Sequence, residues 1–254
     1  MPLKSKNTSN MKLSAIVIMN CLSREKEGKF LQKQLSTAAK KFNIPVVISF
    51  DDGSLGLWQN FKQALTMKVG EGTHRMVIHD DMAFDRNILE KILHVMEYAP
   101  QDCPISFYNP TNGGYKECEE KGHHVLKTST NVWLPATIYP ESFIPAFLDF
   151  NDEHIKENAV EDDRFIAYLQ YAKKSFYAVV PSLTQHLGAF RSNFSQGGIT
   201  PSGVPRYSTN YNTQFDVKSV DWKAEFENPY IDKMNVNFIK KVVREEFLMN
   251  GGKF

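Results

Sequence analysis

Two pairs of adjacent carboxylates each follow a run of apolar residues. Asp51 and Asp52 open Asp51-Asp52-Gly53-Ser54 behind PVVISF at 45–50, and Asp80 and Asp81 follow His79 behind RMVIH at 75–79. Carboxylates this close repel one another unless a cation or hydrogen-bond donors sit among them. Oxygen ligands of this kind suit Mg2+ or Mn2+, whose shell a phosphate-bearing ligand can complete. Asp and Gly also favour turns for local reasons, so Asp51-Asp52-Gly53-Ser54 supports both readings. Two carboxylates are a costly way to end a core strand, which makes His79-Asp80-Asp81 the sharper signal.

The elements that must carry these residues follow from periodicity. LSAIVIM (13–19), PVVISF (45–50) and RMVIH (75–79) are apolar runs of strand length, each followed by apolar positions at helical spacing over 24–42, 57–67 and 86–98. Three strand–helix units in succession predict a parallel sheet with helices on its faces. In such a sheet ligands bind beyond the carboxyl ends of the strands. Those ends are Asn20, the Asp51-Asp52 turn and His79-Asp80-Asp81. Beyond Pro100 the pattern loosens. Strands are expected over 104–110, 123–129, 131–139 and 176–183, with the middle two lying over one end of the sheet. A loop is expected from Tyr115 to Gly122, and helices over 142–150, 164–174 and 236–249. The Ser-, Gly-, Asn-, Pro- and Tyr-rich stretch 191–212 is over-long for a plain connector and reads as a lid or binding loop.

Composition narrows the function. The chain has 254 residues, 42% hydrophobic and 23% charged, with 30 basic against 29 acidic side chains and a net charge of +1. These are globular proportions, and the charge balance disfavours a protein held on nucleic acid by phosphate contacts alone. Cys21, Cys103 and Cys118 form no disulfide framework and no Cys-x-x-Cys zinc pair; reduced thiols in a cytoplasmic protein are expected. His123 and His124, neighbours on a strand, point to opposite faces and do not make a zinc site with Cys118. The apolar run 13–19 is too short to span a bilayer and has no cleavage site behind it, so it reads as a strand and not a signal peptide. The expected protein is soluble, with no integral membrane span. No G-x-G-x-x-G, G-x-x-x-x-G-K-[ST] or G-x-S-x-G occurs, which disfavours dinucleotide-cofactor, P-loop and α/β-hydrolase readings.

The order of motifs resembles the nucleotide-sugar-dependent glycosyltransferases of the GT-A fold. It runs from a strand to Asp51-Asp52-Gly53-Ser54, then a strand ending in Asp80-Asp81, then Glu161-Asp162-Asp163 opening a helix, and last PSLTQHLG at 181–188. The resemblance covers roughly residues 13–198, and PSLTQHLG is its most specific piece. It implies an α/β, Rossmann-type mixed and mostly parallel sheet flanked by helices. Behind a flexible tail (1–12), a single catalytic domain (13–254) would comprise a nucleotide-binding half (13–99), an acceptor half (100–190), a lid loop (191–230) and a C-terminal helix (231–254).

The resemblance also implies roles. Asn20, Asp51, Asp52 and Asp80 would meet the donor, with Asp51 or Asp52 at its base or ribose. Asp81 and His186 would hold Mn2+ or Mg2+ against the donor diphosphate. The family's Asp-x-Asp motif is altered here, because His79 stands at its first position. Arg191 or Arg206 would reach a phosphate as the lid closes. Among Glu161, Asp162 and Asp163, Asp162 would take the acceptor's proton if the enzyme inverts; carboxylates there also match the helix dipole. Tyr207, Tyr211, Trp133 and Trp222 offer stacking surfaces for a sugar or base, although aromatics at such spacing also build cores.

The expected activity is transfer of a sugar from a nucleoside-diphosphate sugar to the hydroxyl of a glycan, of a lipid-linked sugar or of a hydroxymethylated base in phage DNA. Basic residues near both ends (Lys4, Lys6, Lys12, Lys240, Lys241, Arg244) permit the DNA acceptor. Two rivals remain: a metal-dependent phosphohydrolase or nucleotidyltransferase using Asp80 and Asp81, and a non-catalytic sugar-nucleotide-binding module.

Overall fold

The computed structural model describes residues 11–110, 113–187, 208, 210–233, 242–249 and 251–252. The first strand-like run becomes β1 (Leu13–Cys21), with β2 (Val46–Asp51) and β3 (His74–His79) parallel to it on either side. Every residue of β1 except Cys21 is buried. A strand covered on both faces has no solvent side to mark with polar residues, so its sequence runs continuously apolar. Ala15, Val17 and Met19 point into one core and Ile16 and Ile18 into the other. Leu13 joins the second core because the pairing register shifts between Leu13 and Ala15.

Each core is one helical layer against the sheet. α2 (Gly56–Thr66), α5 (Ile144–His154) and α6 (Glu161–Tyr171) cover one face, packing Phe61, Phe147 and Phe165 together with ring centroids 5.2–6.5 Å apart. α1 (Glu25–Ala39), α3 (Ile88–Met96) and the short α7 (Trp222–Glu227) cover the other. The apolar stripes predict these pairings. Leu31, Leu35 and Ala39 make the buried face of α1, and Ile88, Ile92 and Val95 contribute to that of α3.

Eight strands form one mixed sheet. From one edge, β10 (Tyr230–Ile231) is followed by β6 (Val125–Thr128), β8 (Phe176–Val179), β5 (Ile105–Ser106), β7 (Ala136–Pro140), β3, β1 and β2. β7 runs antiparallel to both β3 and β5, and β6 antiparallel to β8; the other pairs are parallel. This is the expected α/β architecture, a mostly parallel mixed sheet between helices. A separate two-stranded ladder, β4 (Met82–Ala83) with β9 (Gln185–His186), lies at the carboxyl end of β3.

Several expected elements differ. Residues 123–129 and 131–139 supply strands within the sheet itself instead of strands lying over its end. The strand expected over 104–110 is paired only at Ile105 and Ser106. The segment expected to loop from Tyr115 to Gly122 is helix α4 (Gly113–Glu120), held by a narrow face of Gly114, Tyr115 and Cys118 that is too small to register as a stripe. Within 191–230, Val217, Trp222, Phe226 and Tyr230 are buried, and the Trp222 indole N–H donates to the Val217 carbonyl, so this part packs on the core. The helix expected over 236–249 is interrupted among the described residues: Val242 is helical, Val243 bridges Ile155, and helix α8 (Glu245–Met249) follows; 236–241 lie outside the described residues. Among the described residues no helix is long and apolar enough to cross a membrane.

His74, at the start of β3, is buried between the Thr73 hydroxyl and the Gln101 carbonyl. Burial holds its pKa below the ordinary histidine value of 6.5, against the pull of the Gln101 carbonyl and Glu141. A depressed folded-state pKa contributes stability above the unfolded value and loses it as pH falls. Unfolding midpoints measured from pH 7.5 to 5 should therefore drop less in His74→Gln than in the unmodified chain. Parallel curves would contradict this account.

Candidate functional site

The site lies at the carboxyl edge of β1, β2 and β3, and strand register sets its geometry. Cys21 pairs with Asp51 and Met19 with His79, so Asn20, Asp51 and His79 arrive at one edge together. The chain then passes from His79 into Asp80, whose N–H donates to the Met19 carbonyl at 3.0 Å. Asp81 is followed at once by β4. Met82 pairs with His186, and the Leu187 N–H donates to the Asp81 carbonyl. This small ladder brings together two residues 105 positions apart in sequence, with His186 Nε2 3.6 Å from Asp81 Oδ2. The segment leading into β9 is anchored to the Phe107 carbonyl by Leu183 N–H and the Thr184 hydroxyl. The His186 ring lies 5.8 Å from that of Tyr108, which also packs against Trp133.

Arg24, at the start of α1, joins the two carboxylates. Its guanidinium lies 2.9 Å from Asp80 Oδ1 and 2.6 Å from Asp81 Oδ2. Asp80 Oδ2 accepts from the Asn20 amide at 2.7 Å and from the Cys21 N–H. Burial pushes the Asp80 carboxyl up to about 6, against Arg24 and Asn20, which pull it down. At Asp81 burial acts in the same direction but loses: His186, His79 and Arg24 together hold that carboxyl below the usual range. The neighbours thus set the two carboxyls apart. Asp81 Oδ1 is buried with no hydrogen-bond partner among the described residues.

Beside this cluster is a cavity of about 440 Å3 lined by Asn20, Asp51, Gly53, Leu57, Asn60 and Asp80 among others. Asp51 serves the turn: its carboxylate accepts from the N–H groups of Gly53, Leu55 and Gly56, tying the start of α2 to the end of β2. Gly53 has φ +102°, a backbone state that glycine takes without strain. Both readings of this motif are therefore compatible, since a tight turn also forms the cavity wall. Asp52 is exposed, and the Ser54 hydroxyl and N–H lower its pKa.

Four residues of this site escape the sequence reading. Arg24 sits in a charge-rich run that reads as a solvated helix start. Asn60 lies in the apolar stripe of α2, a polar residue three positions after Leu57 and four before Ala64, and that mismatch is legible. Its amide donates to the Asn20 carbonyl while its oxygen accepts from the Ser49 hydroxyl, so Asn60 and Ser49 buttress Asn20 from behind. Gly28 occupies the buried face of α1, where a Cβ would lie 2.4–2.6 Å from the Asn20 side chain. The helix can approach Asn20 only through a glycine.

Glu161, Asp162 and Asp163 form the first turn of α6, with Glu161 buried and burial raising the Asp163 carboxyl. α6 leads into β8, which runs in the same direction as β1–β3, so the helix starts at the carboxyl edge. Arg164, one residue further on, lies over the Trp58 ring at 4.4 Å, which sets the start of α6 beside the start of α2. Arg164 also donates to the carbonyls of Lys156, Glu157 and Ala159, fixing the approach to the helix. The acid triplet thus shares the sheet edge with Asp80, Asp81 and His186, on the α2 side.

Other candidates divide. Trp133 is half-buried, with its N–H donating to Asn131. His124 Nδ1 meets the Val180 carbonyl and His123 faces Glu225, while the Cys118 thiol donates to the His123 carbonyl. Arg191, Arg206 and Tyr207 lie outside the described residues. No protein-family model matches this chain, and no characterised protein matches it as a relative.

Two outcomes follow. Titration of the site carboxyls by carbon-detected NMR should show Asp80 changing near pH 6 and Asp81 below the usual carboxylate range; two ordinary titrations near 4 would contradict the arrangement. Gly28→Ala should destabilise the fold by about 1–3 kcal/mol through overpacking against Asn20, measured by urea unfolding, whereas a change under ~0.5 kcal/mol would show that α1 retreats freely.

Proposed function

We propose that this chain is a metal-dependent glycosyltransferase of GT-A type, moving a sugar from a nucleoside-diphosphate sugar to an acceptor hydroxyl. The observation that carries this reading is the meeting of Asp81 and His186, 3.6 Å apart, at the carboxyl edge beside a ligand-sized cavity. A carboxylate is a hard donor suited to Mn2+ or Mg2+, and a borderline imidazole beside it favours Mn2+ of the two. Among the described residues no group of three or more His, Cys, Asp and Glu side chains is arranged to hold a metal. A site with two protein ligands fits an ion that completes its shell with water and a diphosphate, the usual habit of Mg2+ with nucleotides. The buried Asp81 Oδ1, with no hydrogen-bond partner, is the atom such a shell would use. When bound, the ion would neutralise the charge that builds on the departing nucleoside diphosphate.

The chain's own residues supply the remainder. The cavity between Asn20, Asp51, Gly53 and Asn60 would take the nucleoside, with Asn20 held rigid by Asn60 and packed by Gly28. Half-buried Trp133 would give the sugar an aromatic surface, with the buried Tyr108 packed against both it and His186. From the start of α6, Asp162 would accept the acceptor's proton. The acceptor hydroxyl would belong to a glycan, a lipid-linked sugar or a hydroxymethylated DNA base.

A thermal-shift screen of sugar nucleotides with and without Mn2+ tests it. A cognate donor at 100 times its Kd should add about 2.7 kcal/mol of stability, and only with the ion present. With the donor so named, Asp81→Asn should reduce sugar transfer about 10²–10³-fold while leaving the unfolding midpoint without ligand within a few degrees. Release of phosphate from simple phosphoesters with no sugar transfer would support the phosphohydrolase reading instead. Donor binding without any turnover would support a binding module.

A further inference from the structure

Arg24 has no role in the function proposed above, yet it is bound through Oδ2 to the same Asp81 carboxylate whose Oδ1 that function assigns to the metal. Its guanidinium spans Asp80 Oδ1 and Asp81 Oδ2, and the second of these oxygens is also the one nearest His186. A divalent ion approaching Asp81 therefore meets a fixed positive charge already in contact with its ligand, and the two cations repel. Arginine does not relieve this by losing its proton; it has to move. The same side chain lines the cavity beside Asn20 and Asp51, and its Nε–H is buried with no hydrogen-bond partner among the described residues. The guanidinium therefore already borders the space a ligand would fill and carries an N–H group not engaged by either carboxylate. A guanidinium presents a planar fork that suits phosphate oxygens.

Resting on the glycosyltransferase reading, we propose that Arg24 is a resident counter-ion which the metal must displace from Asp81, and that the donor's diphosphate, by receiving the displaced guanidinium, makes metal binding conditional on donor binding. Arg24 is thus a positioning residue that acts through Asp81. Alone, the ion competes with Arg24 for one carboxylate. With a diphosphate present, each cation has an anion. By linkage the coupling is reciprocal: whatever factor the nucleotide adds to metal affinity, the metal adds to nucleotide affinity. The device keeps the paired carboxylates neutralised before substrate arrives and discourages idle metal binding.

The test is Mn2+ binding, followed by the loss of the free-ion paramagnetic resonance signal. It uses the full chain and its Arg24→Gln and Arg24→Lys variants, with and without UDP, GDP, ADP or CDP, and far-UV circular dichroism confirms the fold. Mn2+ alone should bind Arg24→Gln about tenfold more tightly than the unmodified chain, a difference of ~1.4 kcal/mol. The nucleotide that most strengthens Mn2+ binding to the unmodified chain should do so at least about fivefold less in Arg24→Gln. Arg24→Lys keeps the charge without the fork and should bind Mn2+ alone between the other two. Should Arg24→Gln not fold, Arg24→Lys carries the decision, with an expected gain of about threefold. Unchanged or weaker Mn2+ binding in the folded variant overturns the proposal, as does failure of every form to bind Mn2+. If no nucleotide alters Mn2+ affinity in the unmodified chain, the diphosphate half of the proposal and the glycosyltransferase reading fall together. The comparison with Mn2+ alone still decides the displacement half.

Discussion

Two carboxylates buried at the end of a core strand are tolerable only with positive charge against them, and that requirement organises the centre of this molecule. Stripped of partners, Asp80 and Asp81 would each carry a desolvation cost of several kcal/mol. The structure answers with three cationic or potentially cationic groups drawn from three distant parts of the chain: Arg24 at the head of α1, His79 at the end of β3 and His186 on β9. The outcome differs between the two acids. Asp80, with one cation and one amide, is pushed up to about 6, while Asp81, with three neighbours, is held down. Two adjacent carboxyls of one residue type thus acquire different protonation behaviour from their surroundings alone.

The fold supplies the stage for this charge cluster through ordinary packing. Burying both faces of β1 between two helical layers leaves only the strand ends open to solvent, so polar chemistry collects there. Gly28 and Asn60 show how far the core is shaped for the edge. One removes a side chain so that α1 can reach Asn20, and the other places a polar group inside an apolar helix face to brace it. Neither is needed to make a helix, and glycine in a helix interior weakens it by roughly 0.5–1 kcal/mol. Their positions make sense only with reference to Asn20.

Legibility in the sequence followed how local each signal was. Strands β1 to β3 and helices α1 to α3 were readable because apolar runs and helical stripes are properties of contiguous residues. Helix α4 was not, since its buried face is little more than Tyr115 and Cys118 beside glycines. The 217–231 segment was missed for a related reason: Trp222 and Phe226 pack on distant partners, and a Ser- and Gly-rich approach hid them. At the site, the acidic pairs could be picked out by residue type and PSLTQHLG by the family resemblance. Arg24 could not, because an arginine in a run of Lys and Glu has the composition of a solvated surface until the carboxylates it meets are known.

By itself, then, the sequence determined the alternation of strand and helix, the sheet edge where polar residues gather, and the identity of the acids and the late histidine. The alternation and the edge are consequences of periodicity and of the cost of burying charge, both readable along the chain, whereas the late histidine was singled out only through the resemblance carried by PSLTQHLG. Tertiary structure alone decided that β7 enters the sheet antiparallel beside β3, that a two-residue ladder brings His186 to Asp81, and that Arg24 closes the gap between the two acids. Such pairings join residues separated by tens of positions. Their energy depends on distance in space, and no local pattern records it.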